Sequence, residues 1–482
     1  MTPHSLARRL AVVAACASAL LAVSARADDE KARDDAVFGD DTDDDAKDSK
    51  PKPASAPAAA SPTSKDRDPD AADLGDARLT GDAKENTELL TRDRTQIGGF
   101  FYQRNSFSLA KAQALSDLGI GNSTLFEAYF DSRVNDRVRV YTRGRLVYNP
   151  LADAQPALPA GVASLGFSQS TDEVRAVLTQ MWLKFDIGRT VFVTAGRQFV
   201  RFGATRFWNP VDVINLARFN PLTFFDDRVG PLMVKLHVPV ESKNWNFYGI
   251  LLSEDAARAE QIGGLLRAEF LVGQTELGVV GALRKGLDPK VGLDVSSALW
   301  VFDLTAEMAA WFPDGQDPRW QLSAGLSHTW AYGEDDTLVL GAEYFHNPQG
   351  VTADEAVQTM ISSGLAGKAS PLLPLHTGRD YAGAVATVIS PGSWSDSAVT
   401  ALALMNLTDQ SGTAQLNLTT RVLTDLSVEL FGGASFGSGE FTGYVSQFKT
   451  ALPAKFGPMA QPAVDAMRVP LWRAGLNFRC DL

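Results

Sequence analysis

TLFEAYFDSRVNDRVRVYTRGRLVYN, residues 124–149, divides into two runs at Asn135-Asp136. In the second run Arg137, Arg139, Tyr141, Arg143 and Arg145 alternate with Val138, Val140, Thr142, Gly144, Leu146 and Tyr148. A period of two sends each set to one face of a strand. Four arginines on one face exclude a dry core on that side, because each unpaired buried charge costs several kcal/mol. Water or acidic partners must meet them. The first run supplies Glu127 and Asp131 on one face and Phe126, Ala128 and Phe130 on the other, so the polar faces of the two strands can align.

A soluble sheet with one wet side has the same pattern, and recurrence separates the two readings. Segments of this texture lie at Ile97 to Tyr102, Glu173 to Asp186, Val191 to Val200, Leu232 to Val240, Trp245 to Leu252, Leu265 to Val272, Thr275 to Leu283 and Val291 to Leu299. They continue at Asp303 to Phe312, Trp320 to Trp330, Leu338 to His346, Tyr381 to Ile389, Ala398 to Asn406, Thr413 to Arg421, Leu426 to Phe436 and Arg468 to Arg479. Most are about 9 to 12 residues long, the length that spans a bilayer as a tilted strand; soluble strands are typically about 5 or 6. The expectation is an all-β chain whose residues 95–482 form an antiparallel transmembrane β-barrel of about 16 to 18 strands, even in number. Tyr129, Tyr148, Trp182, Trp245, Tyr248, Trp300, Trp311, Trp320, Trp330, Tyr344 and Trp472 fall near strand ends, where interfacial girdles are expected.

Composition neither reveals nor opposes this. Hydrophobic residues make up 45% of the chain and the mean hydropathy is -0.08, values a water-soluble protein also has. Barrels hide in this way because only alternate residues face lipid. No stretch after residue 27 is long and apolar enough for a membrane helix, so a barrel is the one architecture that pairs every backbone group within a bilayer. The net charge of -12 argues against a nucleic-acid partner.

Upstream of the strands, Arg8 and Arg9 precede the apolar stretch Leu10 to Val23, and Ala25-Arg26-Ala27 supplies small residues for cleavage after Ala27. Residues 1–27 read as a secretory signal, its core too short, at about 14 residues against roughly 20, to span a bilayer. Val13-Ala14-Ala15-Cys16 would pass as a lipobox, but apolar residues continue well beyond Cys16. After the signal one cysteine remains, Cys480, so no intramolecular disulfide staples the exported chain. Asp28 to Lys50 holds eleven acidic and four basic residues, and Pro51 to Pro69 is rich in Pro and Ala. Residues 28–94 are therefore expected to form a disordered acidic tail, unable to bury enough surface to offset chain entropy. Limited proteolysis in detergent is expected to trim this tail and spare the rest; equal resistance of both parts would contradict the division.

The segment between Arg201 and Arg228 is the longest one rich in both charged and aromatic residues. Arg201, Arg206, Trp208, Asn209, Asp212, Asp226, Asp227 and Arg228 are its candidate site residues, beside Phe202, Phe207, Phe219, Phe224 and Phe225. A surface loop would leave these rings in water, an unusual apolar burden. Folded into a barrel, the segment would pack its rings on the wall and narrow the passage as a constriction loop. The candidate pore-lining residues are Glu127, Asp131, Arg137, Arg139, Arg143 and Arg145. Two further long connections, Pro348 to Gly378 with a short helix expected at Ala353 to Leu365, and Gly437 to Met467, are expected on the longer-loop, outward side, with an inward fold of each as the alternative.

Gly196-Arg197-Gln198, Arg201-Phe202-Gly203, Trp208-Asn209-Pro210-Val211-Asp212, and Glu343-Tyr344-Phe345 before Asn347-Pro348 resemble porin-like barrels of Gram-negative outer membranes. The likeness covers most of residues 95–482. It implies an outer-membrane location, contact with outer-membrane lipid, an inward-folded loop after a Gly-Arg-Gln strand end, and insertion by the barrel-assembly machinery. Many such barrels end in an aromatic residue, whereas this chain ends Phe478-Arg479-Cys480-Asp481-Leu482, leaving Phe478 or Leu482 to serve.

Catalytic chemistry has little support. His237, His328, His346 and His376 are scattered singly, with no His-Glu-x-x-His, no Gly-x-Ser-x-Gly and no phosphate-binding loop, so no metal, cofactor or enzyme activity is expected. The expected function is passive diffusion of small polar or anionic solutes. The alternative is a barrel serving export, assembly or surface anchoring, its acidic tail docking a periplasmic partner.

Overall fold

The computed structural model describes residues 94–482 except 111–117, 136, 153–172, 216–220, 224–227, 255, 285, 334–335, 367, 369, 462–463, 465–466 and 468–469. The signal, its cleavage position and the tail to residue 93 lie outside the described residues.

The strands are β1 (Thr95–Ala110), β2 (Gly119–Asn135), β3 (Val138–Tyr148), β4 (Val174–Ile187), β5 (Val191–Arg197), β6 (Leu232–Val240), β7 (Trp245–Leu252), β8 (Gly263–Val272) and β9 (Thr275–Leu283). They continue with β10 (Lys290–Leu299), β11 (Phe302–Trp311), β12 (Arg319–Ala331), β13 (Thr337–His346), β14 (Asp380–Ile389), β15 (Ser397–Asn406), β16 (Ser411–Leu423), β17 (Leu426–Phe436) and β18 (Pro470–Asp481). Each pairs antiparallel with its neighbours in sequence, and β18 returns to pair with β1. The sheet of 18 strands is therefore a closed ring without an edge, the even-numbered barrel expected above.

Alternation decides which residues face in. On β2, Phe126 and Phe130 are each 41% exposed while Glu127 between them is 1% exposed. On β8, Leu266 is 69% exposed and Arg267 is 4% exposed. Apolar side chains outside and charges inside invert a soluble protein; the arrangement is stable where hydrocarbon surrounds the ring, and the closed ladder leaves no strand edge unpaired there. This is a transmembrane barrel. Among the described residues, no helix is long and apolar enough to cross a membrane.

Connections differ between the two rims. At the rim where β1 begins and β18 ends, turns are short, as at 188–190, 273–274 and 424–425; at the other rim the strand ends are joined by the longer connections 149–173, 198–231, 347–379 and 437–469. The connection 347–379 contains helix α1 (Ala353–Leu365), with the bounds expected from sequence, capped by Thr352 and Glu355. The connection 437–469 contains helix α2 (Val445–Phe456). Val357, Met360 and Ile361 of α1 pack against Tyr444 and Phe448, so these two connections share a small apolar core of their own.

The aromatic girdle needs correction. Trp300, Trp320, Trp330, Tyr344, Tyr148 and Trp472 are exposed on the outer surface. Tyr129, Trp182, Tyr248 and Trp311 instead belong to the inward sets: Tyr129 and Trp182 both stack on Tyr141, Tyr248 stacks on His237, and Lys290 lies over the Trp311 ring. Proximity to a strand end does not choose a face; parity along the strand does.

Candidate functional site

The connection 198–231 leaves β5 through Gly196, whose φ of 129° belongs to glycine and where a Cβ would lie 2.2 Å from the Met181 carbonyl oxygen. Gly203, with φ 99°, repeats the device: a Cβ there would lie 2.4 Å from a carboxylate oxygen of Glu307. The chain can thus turn inward off the wall and press its backbone against an acidic side chain on β11.

Two carboxylates of the wall hold it. Glu307 accepts the Thr205 backbone N–H at 2.8 Å, the Thr205 hydroxyl at 2.6 Å and the Val211 N–H at 3.2 Å. Glu343 on β13 accepts the N–H groups of Arg206, Phe207 and Trp208 at 2.8, 3.0 and 2.8 Å, and the Ser323 hydroxyl at 2.8 Å. Each hydrogen bond of this kind contributes roughly 0.5–1.5 kcal/mol net, and a buried donor left without its acceptor costs more. Asn209 donates its amide to the Phe202 carbonyl and accepts the Asp212 N–H at 2.9 Å. Asp212 in turn accepts N–H groups from Ile214 and Asn215 at 3.3 and 3.2 Å.

Apolar contacts place the segment across the ring. Val200, Phe202, Val211 and Ile214 pack with Met233, Ile250, Leu252, Leu265 and Val280, from β6 to β9. Phe207 and Trp208 pack with Phe345, Tyr381, Val385, Leu402 and Leu404, from β13 to β15. The Trp208 ring lies parallel to Phe345 at 5.7 Å and is fully buried. A segment joined to one wall by its base and to another by its tip occupies the lumen between them. Beneath the base, Arg267 pairs with Asp294 at 2.6 Å and Glu269 at 2.8 Å and lies over the Phe202 ring.

The arginine face of β3 is also inside. Arg143 and Arg145 both donate through Nε to Glu127 at 2.6 Å, and Arg139 grips Asp131 with two bonds at 2.8 and 2.6 Å. One carboxylate thus serves two guanidinium groups, leaving this stretch of lumen wall net positive. Arg139 also lies over the Trp182 ring.

The remaining candidates separate. Arg137 sits at the short-turn rim, bound to Asp186 at 2.9 Å and half exposed, because the strand begins one residue later. Arg201 donates to the Thr205 carbonyl at 2.6 Å within its own connection. Arg206 is exposed beyond its backbone contact. Arg228 lies 3.7 Å from Asp212 and over the Phe199 ring, and with Arg143 and Arg145 lines a small cavity where the end of the connection meets the β3–β4 wall. Asp226 and Asp227 lie outside the described residues. Sequence reasoning did not nominate Glu307 as an anchor, and it took Glu343 only as part of a motif. Their signal was a single acidic residue at an inward position among apolar ones, as in Thr305-Ala306-Glu307-Met308-Ala309.

No family model matches the chain, and no curated protein matches it. Among solved structures it is similar to OccAB4 of Acinetobacter baumannii, at 8% identity over 81% of this chain and 98% of that one, with a TM-score of 0.48. OpdK of Pseudomonas aeruginosa, solved with vanillate, is 11% identical over 80% and 98%, with a TM-score of 0.47. A mutant of the Rh. blastica porin is 10% identical over 80% and 100%, with a TM-score of 0.38.

Proposed function

We propose that this barrel is an outer-membrane, porin-like channel for passive diffusion of small polar or anionic solutes, with residues 201–228 as its constriction loop. The observation that carries the reading is the segment held across the lumen by Glu307 and Glu343. A closed, loop-narrowed barrel offers a water-filled path whose selectivity is set by charges at its narrowest part. Arg139 and Arg143 are the residues that would meet a permeating anion, with the buried Arg145 and Arg228 adding positive charge behind them and Glu127 and Asp131 fixing their geometry.

Reconstituted protein in a planar bilayer under a salt gradient is expected to give a reversal potential of the sign for anion preference. Replacing Arg143 and Arg145 together with glutamine is expected to shift it toward cations, since Glu127 is then uncompensated. Cation preference in the unaltered protein would contradict the anionic part of this reading, and a closed barrel would contradict diffusion itself.

A further inference from the structure

The connection between β17 and β18 carries a short turn, Glu440–Thr442, whose three residues are all buried. One carboxylate oxygen of Glu440 accepts the Leu375 N–H at 2.5 Å. The other accepts the Tyr381 hydroxyl at 2.6 Å and the Asn406 amide at 3.0 Å. Leu375 belongs to the connection between β13 and β14 and has φ 60°, a conformation a leucine keeps only when its surroundings hold it there. Its carbonyl accepts the indole N–H of Trp208 at 2.9 Å. Leu375 is thus gripped from both sides, by Glu440 through its N–H and by Trp208 through its C=O. Phe441, next to Glu440, packs in the same apolar cluster as Phe207 and Trp208.

We propose that Glu440 is a positioning residue for the constriction loop: through Leu375 it holds Trp208, so the width of the passage depends on a carboxylate that does not line it. The proposal rests on the reading of residues 201–228 as a constriction. Neither sequence motif nor strand pattern marks Glu440, which lies in a connection at the long-loop rim. The two-helix core of α1 and α2 braces the same contact, because Tyr444 bonds Thr377, two residues from Leu375, at 2.8 Å.

The contact also carries a pH dependence of definite sign. Burial, with a smaller contribution from Asp409, lifts Glu440 from the ordinary 4.5 to about 7. The titratable groups facing it are Tyr381 on β14, Tyr444 in its own connection and Asp409 between β15 and β16, none of them a cation. A carboxyl whose value is raised on docking favours the docked state fully below its undocked value and loses that advantage as pH rises through the docked one. The grip on Leu375 is therefore firmest below about 4.5 and weakens toward pH 7.

Single-channel recording of Glu440→Ala, Glu440→Gln, Trp208→Phe and the Glu440→Ala/Trp208→Phe double variant tests this, each first shown to be folded by its resistance to protease. The unaltered protein is expected to gain conductance and current noise from pH 4.5 to 7. Glu440→Gln, a neutral isostere, is expected to keep the low-pH conductance throughout, and Glu440→Ala to show the high conductance throughout. Trp208→Phe lacks the indole donor and should raise conductance too, the double variant adding nothing beyond the larger single effect. Unaltered conductance and pH profile in Glu440→Ala, or effects of Glu440 and Trp208 that simply add, would overturn the proposal; if Glu440→Ala does not fold, Glu440→Gln with an unaltered pH profile does so. Deletion of residues 207–225 separates this failure from that of the constriction reading: if the deletion widens the channel while the Glu440 variants do nothing, only the positioning role fails.

Discussion

Removing Phe207 to Phe225 is expected to raise single-channel conductance severalfold while the barrel stays folded. The ring of 18 strands closes through its own ladders, none of which uses this segment. The deletion takes out Trp208 and Phe207, the part of the loop that reaches β13 to β15, and with them the obstruction across the lumen. Glu307 would lose the Val211 N–H but keep Thr205, and Glu343 would lose the N–H groups of Phe207 and Trp208 but keep that of Arg206. They would then face water entering the vacated space, so neither would be left as a buried unpaired charge, and the cost to the barrel stays moderate. Planar-bilayer conductance, read beside protease resistance of the barrel, checks the outcome. An unaltered conductance in a folded deletion would place the segment outside the passage.

Glu343→Ala is expected to loosen the same loop without deleting it. Three consecutive backbone N–H groups and the Ser323 hydroxyl lose their shared acceptor, and Glu343 is only 5% exposed. Leaving a buried donor of this kind without its acceptor costs about 1–3 kcal/mol per group. That is enough to change a loop from firmly docked to largely undocked, since about 1.4 kcal/mol is tenfold in population. Amide hydrogen exchange at Arg206, Phe207 and Trp208 should accelerate by orders of magnitude while strand amides of β11 to β14 stay protected. Glu343→Gln keeps one acceptor oxygen but turns a donor toward the N–H groups, so it should fall between the two. Exchange at those three amides unchanged in Glu343→Ala would show that the apolar contacts of Trp208 alone hold the loop.

The strands were legible because their physics is local. A side chain's face is set by its parity, and a span by its length, so each of the segments named from sequence falls on one of the 18 strands. Where bounds differ, a particular residue explains it. The expectation for β1 stopped at Tyr102, and beyond it Gln103 and Asn105 carry polar groups on the outward face. In the folded chain they are satisfied laterally, Gln103 by Asn122 at 3.0 Å and Thr124 at 2.6 Å, and Asn105 by Asn122 at 2.9 Å, so the strand runs on to Ala110. The expectation for β5 ran to Val200, but the φ of Gly196 turns the backbone off the wall and the strand ends at Arg197. Helix α1 was legible for the same local reason, its Thr352 and Glu355 forming a capping box.

The sequence by itself determined the all-β class, the inward arginines of β3 with their acidic partners Glu127 and Asp131 one hairpin away, and the aromatic burden of residues 201–228. Each follows from neighbours within a strand or a turn. What holds that burden was decided only by closure of the ring: Glu307 stands 102 residues from Thr205, Glu343 stands 135 from Trp208, and Glu440 stands 65 from Leu375. An inward carboxylate in a strand pattern is equally suited to an arginine, to water or to a row of backbone amides. Which of these it meets depends on what the barrel brings to the facing wall, and no period along the chain encodes that distance.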